Sequence, residues 1–138
     1  MKATLPLLAM LAAAIVMAPA GNAQTLTGAQ AQKSPQAEVF LAYENGMSAK
    51  GIEGAQPYMT PAKLDEMNGM VKAFGAEGFK QYQDKMRGGA QGEARRKQIE
   101  KVEVKGEYAV LEARDSPNVL TVQHLRQTKD GWKVDVRR

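Results

Sequence analysis

The segment HLRQTKDGWKV, residues 124–134, holds the only histidine and the only tryptophan of the 138-residue chain. Histidine titrates near neutral pH and suits general acid–base work. Arg126 stands two residues on, so in a strand it shares a face with His124. A cation pair of this kind beside apolar side chains suits the acidic head group of an amphipathic ligand. The other arrangement open to His124 is neutral packing against Val136, with Arg126 extending to water at the sheet edge. Catalysis by His124 needs a carboxylate to orient the ring, and Asp135, the nearest, is expected to point away. There is no cysteine, which excludes thiol catalysis and thiolate metal sites, and one histidine excludes the usual zinc sets. The chain has no nucleophile elbow, P-loop or dinucleotide fingerprint. No metal or cofactor is therefore expected.

The orientation of His124 is a question of strand register, because a slip of one residue moves every side chain to the opposite face. From Ile99 onward the sequence reads as four antiparallel strands, with turns at Lys105-Gly106, Asp115-Ser116-Pro117-Asn118 and Lys129-Asp130-Gly131. A two-residue first turn pairs Val102 with Ala109, and a four-residue second loop pairs Ala109 with His124. A three-residue last loop then pairs Thr128 with Trp132 and puts His124, Arg126 and Trp132 on the inner face. A two-residue last turn would instead place Trp132 with Leu125 and Gln127. The three-residue loop is the expectation, with His124, Arg126, Trp132 and Tyr43 as pocket candidates. Tyr108, Val110 and Leu125 then form an outer face that a homodimer could bury.

Two helices and a shorter third precede the strands. Ser34-Pro35 and Thr60-Pro61 each pair an N-cap residue with proline at the first helical position. Val39, Phe40, Tyr43 and Met47 follow helical spacing, as do Leu64, Met67, Met70, Val71 and Phe74. Gly75 and Gly78 predict a break before a shorter helix over about 79–86, and the glycine-rich residues 87–92 predict a loop. Helices followed by a meander give an α+β fold, with N-terminal helices on one face of a curved four-stranded antiparallel sheet.

Residues 1–23 carry a lysine, an apolar run from Leu5 to Ala18 and small residues near Ala20 and Ala23, the pattern of a signal peptide. The run is short for a membrane span. Residues 24–34 are expected to be a flexible leader and 35–138 a single domain, exported most simply to a bacterial periplasm. Without Lys2, the 19 lysines and arginines become 18, against 15 acidic residues. The small excess lies in the C-terminal half and is densest at Arg95-Arg96-Lys97, which reads as a solvated face or a helix end. No aromatic-interleaved basic stripe supports nucleic-acid binding.

The stretches 35–46 (Pro35, Val39-Phe40-Leu41, Tyr43, Gly46), 99–111 (Ile99, Val102, Val104, Gly106, Tyr108-Ala109, Leu111) and Lys129-Asp130-Gly131-Trp132-Lys133-Val134 occur in an order that resembles the nuclear-transport-factor-2-like (cystatin-like cone) superfamily, in particular its small exported bacterial members. The resemblance implies a cone whose interior can hold a small apolar or amphipathic ligand. Catalytic members of that superfamily place an Asp or an Asp–His pair in the cone, and no dependable equivalent stands here. The expectation is a non-enzymatic exported domain that binds a small amphipathic or anionic ligand or an envelope protein, with a homodimer as a further expectation. An immunity or inhibitor protein against an envelope-acting toxin or hydrolase is the alternative. An isomerase, cyclase or dehydratase using His124 is the third.

Overall fold

A computed structural model describes residues 23–138; the signal-peptide reading falls on residues 1–22 and so lies, but for Ala23, outside the described residues. The elements in chain order are β1 (Ala23–Thr27), α1 (Gly28–Gln32), α2 (Pro35–Lys50), α3 (Ile52–Ala55), a 3-10 turn (Gln56–Tyr58), α4 (Pro61–Gly88), α5 (Gly92–Lys97), β2 (Ile99–Lys105), β3 (Tyr108–Ser116), β4 (Val119–Thr128) and β5 (Gly131–Asp135). The strands form one antiparallel sheet in the order β1-β2-β3-β4-β5. The α+β class holds, but the sheet has five strands rather than four. The added strand is β1, which pairs with β2 from Ala23 to Thr27. Residues 24–34, expected to be a flexible leader, thus supply an edge strand and a short helix. Composition hides them because a five-residue strand of small polar residues has no apolar period.

Both helix starts are built as their sequences predict. Ser34 Oγ accepts from the Ala37 N–H at 3.1 Å and donates to the Ala31 carbonyl at 2.7 Å. Thr60 Oγ1 accepts from the Lys63 N–H at 3.2 Å and donates to Asp135 Oδ1 at 2.6 Å, while the Thr60 N–H donates to the Val134 carbonyl at 2.9 Å. The start of α4 is thereby stitched to β5, covering that edge of the sheet. α2 runs through Gly46 to Lys50 and is capped by Gly51. A Cβ at Gly46 would stand 2.2 Å from the Gly54 carbonyl oxygen, and one at Gly54 would stand 2.3 Å from that of Gly46. These glycines let the backbones of α2 and α3 touch. Gly75 breaks α4 with φ 74, but the helix resumes at once and does not wait for Phe79.

The core lies between α2 and the inner face of the sheet: Phe40, Leu41 and Met47 against Val102, Leu111, Leu125 and Val134, with Met67 added from α4. The first hairpin pairs Val102 with Leu111 and Val104 with Ala109 across a Gly106-Glu107 turn. That differs from the expected pairing by two residues, which preserves the faces. The second hairpin differs by an odd number. Arg114 pairs with Leu120 and Ser116 with Val119, leaving Asp115 as an extra residue on β3. Ala109 therefore faces Leu125, not His124. In the third hairpin Thr128 pairs with Gly131 and Gln127 with Trp132, across the two residues Lys129-Asp130. Thr128 Oγ1 closes that turn, donating to the Gly131 carbonyl at 2.8 Å and accepting from the Asp130 N–H at 3.1 Å. Trp132, Val134 and Leu125 share the inner face; His124 and Arg126 share the outer one.

Candidate functional site

The register separates the four pocket candidates. Tyr43 and Trp132 lie on the helix-covered side, Tyr43 being 3% exposed and Trp132 packing against the core. His124 and Arg126 lie on the other side of the sheet with Tyr108 and Val110. The expected four-residue pocket is therefore corrected: the bulge at Asp115 turns His124 and Arg126 out of the interior. Of the dimer-face candidates, Tyr108 and Val110 are on the outer face, but Leu125 is 1% exposed in the core.

On the outer face His124 borders a hollow of about 370 Å³ with Tyr108, Val110 and Arg138. The Arg138 guanidinium lies 3.9 Å from the centroid of the Tyr108 ring, and that of Arg126 lies 5.7 Å from it. Desolvation and the Arg137 cation pull the His124 pKa down, and Asp135 opposes them only in part. Asp135 pairs with His124 across the strands, yet its carboxylate is occupied by the Thr60 hydroxyl and by Arg138 Nη2 at 3.3 Å. Among the described residues no oriented His–Asp dyad forms.

The larger cavity, about 440 Å³, opens on the inner side at the β3–β4 end of the sheet. There the inner-face residues of β4 change from Leu125 to Gln123 and Thr121, polar side chains where a closed core would carry apolar ones. Tyr43 and Glu44 of α2, Lys63, Tyr82, Lys85 and Met86 of α4, and Arg95 of α5 complete the walls. The second half of α4 is fastened by Gln83 Nε2, which donates to the Met47 and Ser48 carbonyls at 2.9 and 3.3 Å, and by Arg87 Nε, which donates to the Ser48 carbonyl at 2.6 Å.

Arg95 organises one side of this cleft. Its Nε and Nη2 donate to the two Glu44 oxygens at 2.8 and 3.1 Å. Nη1 donates to Asp115 Oδ1 at 2.5 Å and to Gln98 Oε1 at 2.8 Å, and Nη2 reaches Thr121 Oγ1 at 3.5 Å. Thr121 in turn donates to Asp115 Oδ2 at 2.6 Å. The guanidinium also sits 5.3 Å from the Phe40 ring centroid, within cation–π range. One buried side chain thus ties α2, α5, β3 and β4 together and uses all five of its N–H donors. Burial alone would lower the Arg95 pKa, but the Glu44 and Asp115 hydrogen bonds outweigh it and hold the cation charged. For Asp115 burial acts upward, and the Thr121 and Arg95 hydrogen bonds overcome it, keeping the carboxyl below its ordinary range. Burial raises the Tyr43 phenol, with the neighbouring Tyr82 and Glu44 acting in the same sense, so it stays protonated.

Sequence reasoning missed this cluster. Arg95-Arg96-Lys97 reads as a charge run, and a six-residue helix is too short for its periodicity to single out the inward member. The available signal was local: Asp115 six residues before Thr121 across a turn, two side chains that can bond on one face. Among the described residues no group of three His, Cys, Asp or Glu side chains is placed to hold a metal ion, and no helix is long and apolar enough to cross a membrane. No family model, curated protein or solved structure matches this chain.

Proposed function

We propose that the chain is an exported, non-enzymatic binding domain of the cone type, whose inner cleft holds a small amphipathic molecule. One observation carries this reading: the helix-covered face turns polar at Thr121 and Gln123 beside a cavity of about 440 Å³, a size common in small-molecule sites. Tyr43, Tyr82 and Met86 supply apolar surface, and the neighbouring polar groups orient the guest. The proposed export rests on the N-terminal sequence pattern, and the cone relationship on the order of helices and hairpins. Binding is favoured over catalysis because Asp115 is held ionised and His124 lies across the sheet from the cleft.

The test is native mass spectrometry of protein recovered from its own host, set beside Ala90→Trp, which fills the cleft mouth from the Gly89–Gln91 loop. A molecule retained by the natural chain and lost from the variant supports the function. An empty natural protein that captures an envelope protein in a pull-down favours the inhibitor reading instead.

A second reading concerns the outer face. Val122 is 50% exposed there, on the same face as Tyr108 and Val110, within a border of both charge signs (Lys101, Glu103, Glu112, Arg114). Mixed charge around an apolar centre is self-complementary, so the fitting occupant is a second copy related by a twofold axis. Sedimentation equilibrium checks this, with Val122→Glu expected to give a monomer.

A further inference from the structure

The cleft's hydrogen-bonding groups are not equally available. Arg95 spends every N–H on protein oxygens, and Thr121 both donates and accepts within the same cluster. Glu44 and Asp115 both pair with Arg95, at 2.8 and 2.5 Å, so one of their two charges is offset. Gln123 Nε2 is turned toward the His124 and Asp135 carbonyls at 3.1 and 3.4 Å. What remains facing the cavity is mostly donor. Lys63 gives one hydrogen to Glu66 at 2.7 Å and keeps two, and its side chain is only 13% exposed. Lys85, on the opposite half of α4, makes no ion pair with a carboxylate among the described residues.

From this we infer that the cleft selects a ligand with an acidic head, a carboxylate or phosphate monoester bridged by Lys63 and Lys85. Its apolar part lies along Tyr43, Tyr82 and Met86. The inference rests on the proposed binding function and names the chemical class of its ligand. Arg95 is then a positioning residue: it holds both carboxylates and offsets one of their two charges, so that with Lys63 and Lys85 the cations lining the cleft outnumber Glu44 and Asp115. Without it, Glu44 and Asp115 would offset the two ammonium groups and the excess of positive charge would be lost.

The experiment is an amide chemical-shift titration of the whole protein with octanoate, octyl phosphate and octan-1-ol, which share one tail. The acids are expected to shift Lys63, Lys85, Thr121 and Gln123 and to bind about tenfold or more tightly than the alcohol, the scale of one charge-assisted hydrogen bond. Comparison of the two acids separates a carboxylate site from a phosphate site. In Lys63→Gln/Lys85→Gln the preference for acid over alcohol is lost while alcohol binding stays. Lys85→Gln alone, at an exposed position, gives a partial loss if the double variant fails to fold. His124→Ala, on the outer face, changes nothing.

Equal binding of acid and alcohol within the cleft overturns the acid-head inference and leaves the binding function standing. Acid shifts confined to the His124–Arg138 hollow overturn it too. An absence of cleft shifts with either acid also overturns it. Only if the host-derived protein is empty as well does the binding function fall.

Discussion

Replacing Arg95 by methionine keeps most of the aliphatic stem over Phe40 and removes the guanidinium. Glu44 and Asp115 are then left with side chains 16% and 35% exposed and no cation between them. Breaking a fully buried pair from one side costs roughly 3–5 kcal/mol. Partial exposure lets water solvate both carboxylates, which brings the expected loss to about 2–3 kcal/mol at pH 7. For a domain of this size that corresponds to a fall in Tm of about 8–12 °C. Thermal unfolding followed by circular dichroism reads it directly. Adding Glu44→Gln and Asp115→Asn to Arg95→Met should recover about half, since no uncompensated charge then remains. The sign of the pH effect follows from Asp115: its folded pKa lies below the unfolded value near 4. The stability it contributes is present above that value and is lost as pH falls through the folded pKa. The natural chain should therefore lose stability more steeply below about pH 4 than Arg95→Met does. A Tm within 2 °C of the natural chain at pH 7, or no recovery in the triple variant, would refute the clasp.

Other expectations are independent of the cleft. Gly46→Ala gains about 0.5–1 kcal/mol of helix propensity but drives a Cβ into the Gly54 carbonyl, a backbone overlap costing about 1–3 kcal/mol or more; urea unfolding should show a net loss, and a gain would mean that α2 and α3 do not touch there. Thr60→Val removes both the cap and the Asp135 hydrogen bond, for a loss of about 2 kcal/mol in the same assay, and a change below 0.5 kcal/mol would contradict the stitch between α4 and β5. Asp135 is likewise pushed up by burial and held low by Thr60, Val136 and Arg138, so Asp135→Asn should flatten the acid limb of the stability curve below about pH 4. An acid limb as steep as the natural chain's would count against that assignment. His124→Ala should leave Tm within about 2 °C, because the ring is half-buried on the outer face; a fall like that of Arg95→Met would place it in the core.

Much of the architecture was readable from local chemistry. Ser34-Pro35 and Thr60-Pro61 mark helix starts because capping depends on adjacent residues. The strand faces of the first hairpin were readable because Val102, Val104, Ala109 and Leu111 alternate strictly. The reading failed where parity depended on a contact distant in sequence. Asp115 is drawn to Arg95, twenty residues before it, and to Thr121 across the turn, so β3 carries an extra residue and the side chains of β4 change face. The Lys129-Asp130 connection, closed through the Thr128 hydroxyl, is one residue shorter than expected and offsets the slip for β5, so Trp132 and Val134 keep the inner face. β1 was not legible because Ala-Gln-Thr-Leu-Thr gains its strand character only from pairing with β2. Tyr43, a pocket candidate on the first helix, does line the cleft. Its partners there are Tyr82, Lys63, Lys85 and the Arg95 cluster rather than His124 and Arg126.

The most direct test of the binding cleft is a crystal structure of the protein as isolated from its own host. The account predicts density for a small molecule against Tyr82 and Met86, its polar end between Lys63 and Lys85, with Arg95 still joined to Glu44 and Asp115. Density only in the His124–Arg138 hollow, or a cleft holding ordered water alone, would contradict it.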